Sequence, residues 1–154
     1  MHSFFVVWCV SICFATTIAY PKNDTFKVGE TRYFMGTAKM NFDDSIDFCK
    51  SHNMQLISAR NSSEYKIMLH TIFEMVVFGT ETVVWTSGTK LAKSNDWIWL
   101  SNEMDYITFF DWGRGEPNNR SGNEFCIALH PGALAHYWTD ESCTELFLPI
   151  CELK

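Results

Sequence analysis

Gly115-Glu116-Pro117-Asn118-Asn119, then Glu124, then Trp138-Thr139-Asp140 beyond Cys126, are the residues on which the fold of this chain turns. The first six fall in a long irregular region between Ser101 and Phe125. Loops of that length in a compact domain usually carry function. Alone, Glu116-Pro117-Asn118-Asn119 is good turn chemistry, because proline presets φ and asparagine bonds its own backbone. Glu124 and Asp140 add carboxylates that a plain turn does not need.

The chain on either side divides into a helical first half and a strand-rich second half. Phe26 to Met35 has β-rich composition and reads as an opening strand broken by Gly29. Asn41 then precedes a helical pattern, with Asp43 and Asp44 in its first turn and Phe42, Ile46 and Cys49 on one face. Asn61-Ser62-Ser63-Glu64 is a capping box and predicts a second helix from Ser62 into Glu74. From Val83 onward the pattern changes to short strand-like runs: Val83–Thr86, Trp97–Leu100, Phe125–Leu129 and Phe147–Cys151. Gly-, Asn- and Pro-rich connections separate them, and the whole is an α+β domain. Trp85, Trp97, Trp99 and Trp112 read as core.

At 154 residues the chain is long enough for one sizeable core but hardly for two. Twelve basic against eighteen acidic residues, with no Lys/Arg run, argue against nucleic acid and anionic membrane surfaces as partners. Inside the body of the chain no stretch is long and apolar enough to span a bilayer. The first residues differ: an apolar run from Phe4 to Ala15 leads to Thr17-Ile18-Ala19, the layout of a secretory signal peptide. It lacks the usual basic residue ahead of the run. Residues 1–19 are therefore expected to be removed, leaving a mature, secreted domain over 20–154.

Removal takes Cys9 and Cys13 and leaves Cys49, Cys126, Cys143 and Cys151. An even count in a secreted chain reads as two disulfides, and four cysteines allow three pairings. Zinc is the competing reading, but no close Cys or Cys/His pair has ligand spacing. His52, His70, His130 and His136 are scattered and read as surface or packing residues.

Taken together, these motifs resemble the C-type lectin domain, the calcium-dependent carbohydrate-recognition module, over essentially the whole mature chain. Trp97-Ile98-Trp99-Leu100 is similar to the family's W-I-G-L signature, and Glu116-Pro117-Asn118 matches its E-P-N motif. Glu124 stands at the next acidic ligand, and Trp138-Thr139-Asp140 corresponds to W-N-D with threonine for asparagine. Trp85–Thr89 (W-T-S-G-T) also looks like secreted insect members. The resemblance implies pairing of Cys49 with Cys151 and Cys126 with Cys143. It also implies a calcium ion held by Glu116, Asn118, Glu124, Thr139 and Asp140, and a cis bond before Pro117.

The chemistry is consistent with that implication. Calcium takes about six to eight oxygen ligands, commonly carboxylates and amide carbonyls. In the family two vicinal sugar hydroxyls complete the shell and hydrogen-bond the same side chains. Glu116 would accept, Asn118 would donate, and Glu124 and Thr139 would also contact the sugar. E-P-N is the family's mark for mannose-type sugars with equatorial 3- and 4-hydroxyls. Three departures stand out. Thr139 replaces an amide that serves both ion and sugar. Asn119 and Phe125 stand where an auxiliary calcium site would need acidic residues, so one ion is expected. The Ile127–Tyr137 segment, with His136 and Tyr137 near the site, is longer than in compact members.

Three N-x-[ST] sequons occur, at Asn23, Asn61 and Asn119. At Asn61 a glycan would leave the side-chain oxygen free to cap the second helix. At Asn119 it would sit beside Asn118. The expected protein is a secreted, calcium-dependent lectin for mannose-like glycans on microbes or host surfaces, a role in innate recognition. The alternative is a C-type lectin-like protein that binds a protein partner. No nucleophile, base and orienting residue suggest themselves together, so an enzyme is not expected. The chain has no collagen-like or heptad segment. Multivalency would come through homo- or hetero-oligomeric contacts of the domain face.

Overall fold

A computed structural model describes residues 25–28, 30–59, 61–75, 82–101, 104–131 and 136–153. The expected signal segment and the Asn23 sequon lie outside the described residues. Phe26–Met35 is two strands, not one: β1 (Thr25–Val28) pairs antiparallel with β2 (Thr31–Met35), with Val28 opposite Thr31. The expected break at Gly29 itself lies outside the described residues, and the chain reverses between Val28 and Thr31.

The two helices form where the caps place them. Helix α1 (Phe42–Ser51) begins at Asn41, whose Oδ1 accepts the Asp44 N–H at 2.8 Å. Its inner face carries the buried Phe42 and Cys49 and the half-buried Ile46. A short strand, β3 (Gln55–Leu56), leads on to α2 (Ser62–Met75). There Asn61 Oδ1 accepts the N–H groups of Ser63 and Glu64, each at 3.0 Å. The cap oxygen is thus engaged while Asn61 itself stays exposed, which leaves its amide nitrogen available to a glycan.

The second half builds β4 (Val84–Lys90), β5 (Trp97–Trp99), β6 (Asp105–Tyr106), β7 (Glu124–His130), β8 (Tyr137–Ser142) and β9 (Leu148–Leu153). The hydrogen-bonded order is β1-β2-β9-β4-β5-β6, with β3 on β9 and the β7–β8 hairpin on β4. The sheet is mixed. Val84 and Trp85 pair in parallel with Leu148 and Pro149, while the pairings between the other named strands are antiparallel. The chain leaves β4, runs out through the site loops and returns along β9 in the same direction, which a short strand pattern does not reveal.

Strand β7 explains how one sheet serves two cores. Cys126 and Ala128 pack with Phe42, Cys49, Leu56, Trp85 and Cys151. Ile127 and Leu129 point the other way, among Trp99, Trp138, Ile150 and the inner face of α2. Side chains alternate along a strand, so its unbroken apolar run is a strand buried on both faces. Cys49–Cys151 ties α1 to β9, and Cys126–Cys143 ties β7 to the residue after β8; each pair has its Cα atoms 5.3 Å apart.

Candidate functional site

The irregular loop is fixed to β8 at two heights. At the lower one, Trp138 N–H donates to the Asp111 carbonyl (2.8 Å) and Gly113 N–H to the Trp138 carbonyl (2.9 Å). At the upper one, both oxygens of Asp140 accept backbone N–H groups, from Asn118 at 2.8 Å and Asn119 at 2.9 Å. Between them Glu116 N–H donates to the Gly113 carbonyl (3.0 Å), closing a turn in which Gly115 has φ +91°. The Glu116–Pro117 bond is cis, and Asn118 Nδ2 donates to Glu116 Oε2 at 2.7 Å.

Asn119 carries the loop into β7. Its backbone is left-handed, φ +44°, a conformation asparagine tolerates better than most residues. Its Oδ1 accepts the Glu124 N–H at 3.1 Å, while Glu124 Oε2 accepts the Arg120 N–H. Hence Glu116, Asn118, Glu124 and Asp140 are linked through direct bonds or through residues 119 and 120. Asp140 is 2% exposed and Glu124 9%, whereas Asn118 is exposed and Glu116 half-buried. Among the expected site residues, Thr139 stands apart. Its hydroxyl donates to Glu141 Oε1 at 2.9 Å and lies 3.0 Å from His130 Nε2. The hydroxyl has one proton and gives it to Glu141, so the His130 ring must donate Nε2–H to Thr139. Burial lowers the His130 pKa, which favours the neutral ring.

The electrostatics are those of crowded carboxylates. Desolvation raises the Glu116 pKa, and the neighbouring Asp140 carboxylate raises it further. Glu124 is raised by desolvation, with Asp140 and Glu141 adding to it and the Arg120 N–H opposing. Carboxylates crowded this way fit a hard cation, which would favour all of their charged forms at once. Among the described residues no three His, Cys, Asp or Glu side chains converge in a metal-coordinating arrangement. Glu116 Oε2 is occupied by the Asn118 amide, whose rotation would free both groups.

Sequence reasoning missed three contributors: Asn119 as the bracket for Glu124, Glu141 as the partner of Thr139, and the stacked rings of His130 and Tyr137. The last pair lies with centroids 4.9 Å apart and planes 8° from parallel. A signal for it existed, since both residues belong to the 127–137 segment. No periodic pattern singles out a cross-strand pair.

Residues 38–153 match the family model for the lectin C-type domain. The C-type lectin mannose-binding isoform of Oxyuranus scutellatus is 26% identical over 118 residues, covering 74% of this chain and 71% of its own. C-type lectin 37Da of Drosophila melanogaster is 28% identical over 135 residues, covering 82% and 69%. In fold, the chain is similar to the C-type lectin domain of murine dendritic cell inhibitory receptor 2, solved in complex with an N-glycan. That match has a TM-score of 0.70 at 20% identity, over 88% of this chain and 99% of that one.

Proposed function

The chain belongs to the C-type lectin domain family, and from that premise we propose that it is a secreted, calcium-dependent lectin for mannose-type glycans. The domain would occupy 20–154 after loss of a signal peptide over 1–19. The observation that carries the reading is the loop pinned to Asp140, which gathers Glu116 and Asn118 beside a buried carboxylate. Domains of this family typically bind calcium and are generally non-enzymatic, and its lectins bind carbohydrate.

Glu116, Asn118, Glu124 and Asp140 would hold the ion. Calcium held there would supply a hard Lewis acid for sugar hydroxyl oxygens. Glu116 would accept a hydrogen bond from one hydroxyl and Asn118 would donate to another. Asp140 keeps the two at a fixed spacing by holding the backbone of Asn118 and Asn119. A relative described as mannose-binding supports the sugar class. One site binds weakly, so useful affinity would come from several copies in a homo- or hetero-oligomer on a multivalent surface.

Retention on mannose-agarose in calcium, with elution by chelator, is the expected result. Binding should also weaken as pH falls, because protons compete with the ion for its carboxylates. Glu116 and Glu124 have raised pKa values, so that loss begins at a higher pH than it would for ordinary carboxylates and reverses when the pH is restored. Retention indifferent to chelator and acid would remove calcium from the mechanism.

One observation favours a second reading, a C-type lectin-like protein that binds a protein partner. Thr139 gives its proton to Glu141 and leaves no donor for sugar where the family motif has an amide. An asparagine offers a carbonyl oxygen and an NH2 group on separate atoms. Thr139→Asn is therefore expected to tighten calcium and mannose binding together, by about tenfold for one recovered hydrogen bond. Calcium titration and sugar competition on that variant check it. Unchanged or weaker binding would mean that Thr139 is no handicap.

A further inference from the structure

Tyr137 packs against two neighbours that the sugar and calcium chemistry does not use. It pairs across the β7–β8 hairpin with His130 and stacks on its ring. The ring also lies against Gly113, where an added Cβ would come within 2.6 Å of Tyr137 Cδ2 and 3.2 Å of Cγ. Gly113 is also the residue whose N–H is tied to Trp138 and whose carbonyl closes the turn to Glu116. The Tyr137 ring, 38% exposed, therefore packs from β8 against the foot of the Glu116 turn.

We propose that Tyr137, packed against Gly113 and His130, is a positioning residue that sets the distance of the Glu116–Asn118 turn from Asp140. The turn has two anchors on β8, and the ring fixes the lower one. If the foot lifts, the Asn118 and Asn119 N–H groups leave the Asp140 carboxylate. His130 has a double task, bracing Tyr137 with its ring and Thr139 with its Nε2–H.

Amide hydrogen exchange of the calcium-free chain and calcium titration together test this, and only the second rests on the lectin reading. Gly113→Ala should speed exchange at Asn118 and Asn119 by about tenfold, the loss of one good hydrogen bond. It should weaken calcium by about 10- to 100-fold, the usual effect of disturbing a support behind metal ligands. Tyr137→Phe, which keeps the ring, should match the wild type in both measurements, while Tyr137→Ala should behave like Gly113→Ala. The double variant Gly113→Ala/Tyr137→Ala should be no worse than Tyr137→Ala, because the added methyl then meets no ring. Strictly additive losses, unchanged exchange at Asn118 and Asn119, or faster exchange spread evenly over β4, β7 and β9 would each overturn the proposal. If Gly113→Ala does not fold, the contrast between Tyr137→Phe and Tyr137→Ala decides alone. Exchange that responds as expected in a chain whose wild type ignores calcium would uphold the positioning role and sink the lectin reading.

Discussion

Asp140→Ala should abolish calcium binding and sugar retention together, and should lower the melting temperature even in chelator. The carboxylate is almost completely buried and is the acceptor for two backbone donors, Asn118 and Asn119. Alanine would remove the acceptor of both partly buried N–H groups, at about 0.5–1.5 kcal/mol for each hydrogen bond lost. Glu116→Ala should abolish calcium and sugar binding too, with a smaller thermal change, because Glu116 is half-buried where Asp140 is almost fully buried. Calorimetric titration with calcium, beside thermal melts in chelator, separates the two variants. Equal melting of both would mean that Asp140 does not organise the loop. Full calcium affinity in either would mean that the ion is held elsewhere.

The largest expected effect on stability is at Cys49–Cys151. It closes a loop of 102 residues, and on the loop-entropy model its removal should cost about 4–5 kcal/mol. Cys126–Cys143 spans 17 residues and should cost about 3 kcal/mol. Domains of this size are stable by about 5–15 kcal/mol, so losing the outer bridge takes a large share. Denaturant midpoints of the Cys49→Ala/Cys151→Ala and Cys126→Ala/Cys143→Ala chains should fall in that order. The reverse order would show that native strain or residual unfolded structure, and not loop length, governs both bridges.

Both helices were legible because their starts depend on local chemistry. Asn41 and Asn61 precede the runs they cap, and each bonds residues within three positions. Strand β7 was legible as an apolar run, although its burial on both faces is a property of the layers around it. The Phe26–Met35 hairpin read as one strand because a single glycine does not distinguish a break from a reversal. The parallel match of β4 with β9 joins residues more than sixty positions apart, and no local pattern encodes it.

The site divides along the same line. Glu116, Asn118, Glu124 and Asp140 announced themselves as oxygen donors in a resembling motif. That Asp140 spends both oxygens on backbone N–H groups, and that Thr139 faces His130 and Glu141, depends on how the loop lies against β8. A substitution in a motif says that a function has changed, but the new partner comes from the neighbouring strand.

The order of the first and last strands has a consequence for assembly. β1 lies beside β2, and β2 beside β9, with Lys27, Arg32 and Leu153 in register across the three. The two ends of the fold thus leave the body about two strand spacings apart, or roughly 10 Å. Because β1 and β9 each run antiparallel to β2, they run in the same direction, and the chain enters at one end of the pair and leaves toward the other, as a thread passes through a bead. Copies fused in series would follow one another along that line and present many weak sites, with linker length setting their spacing.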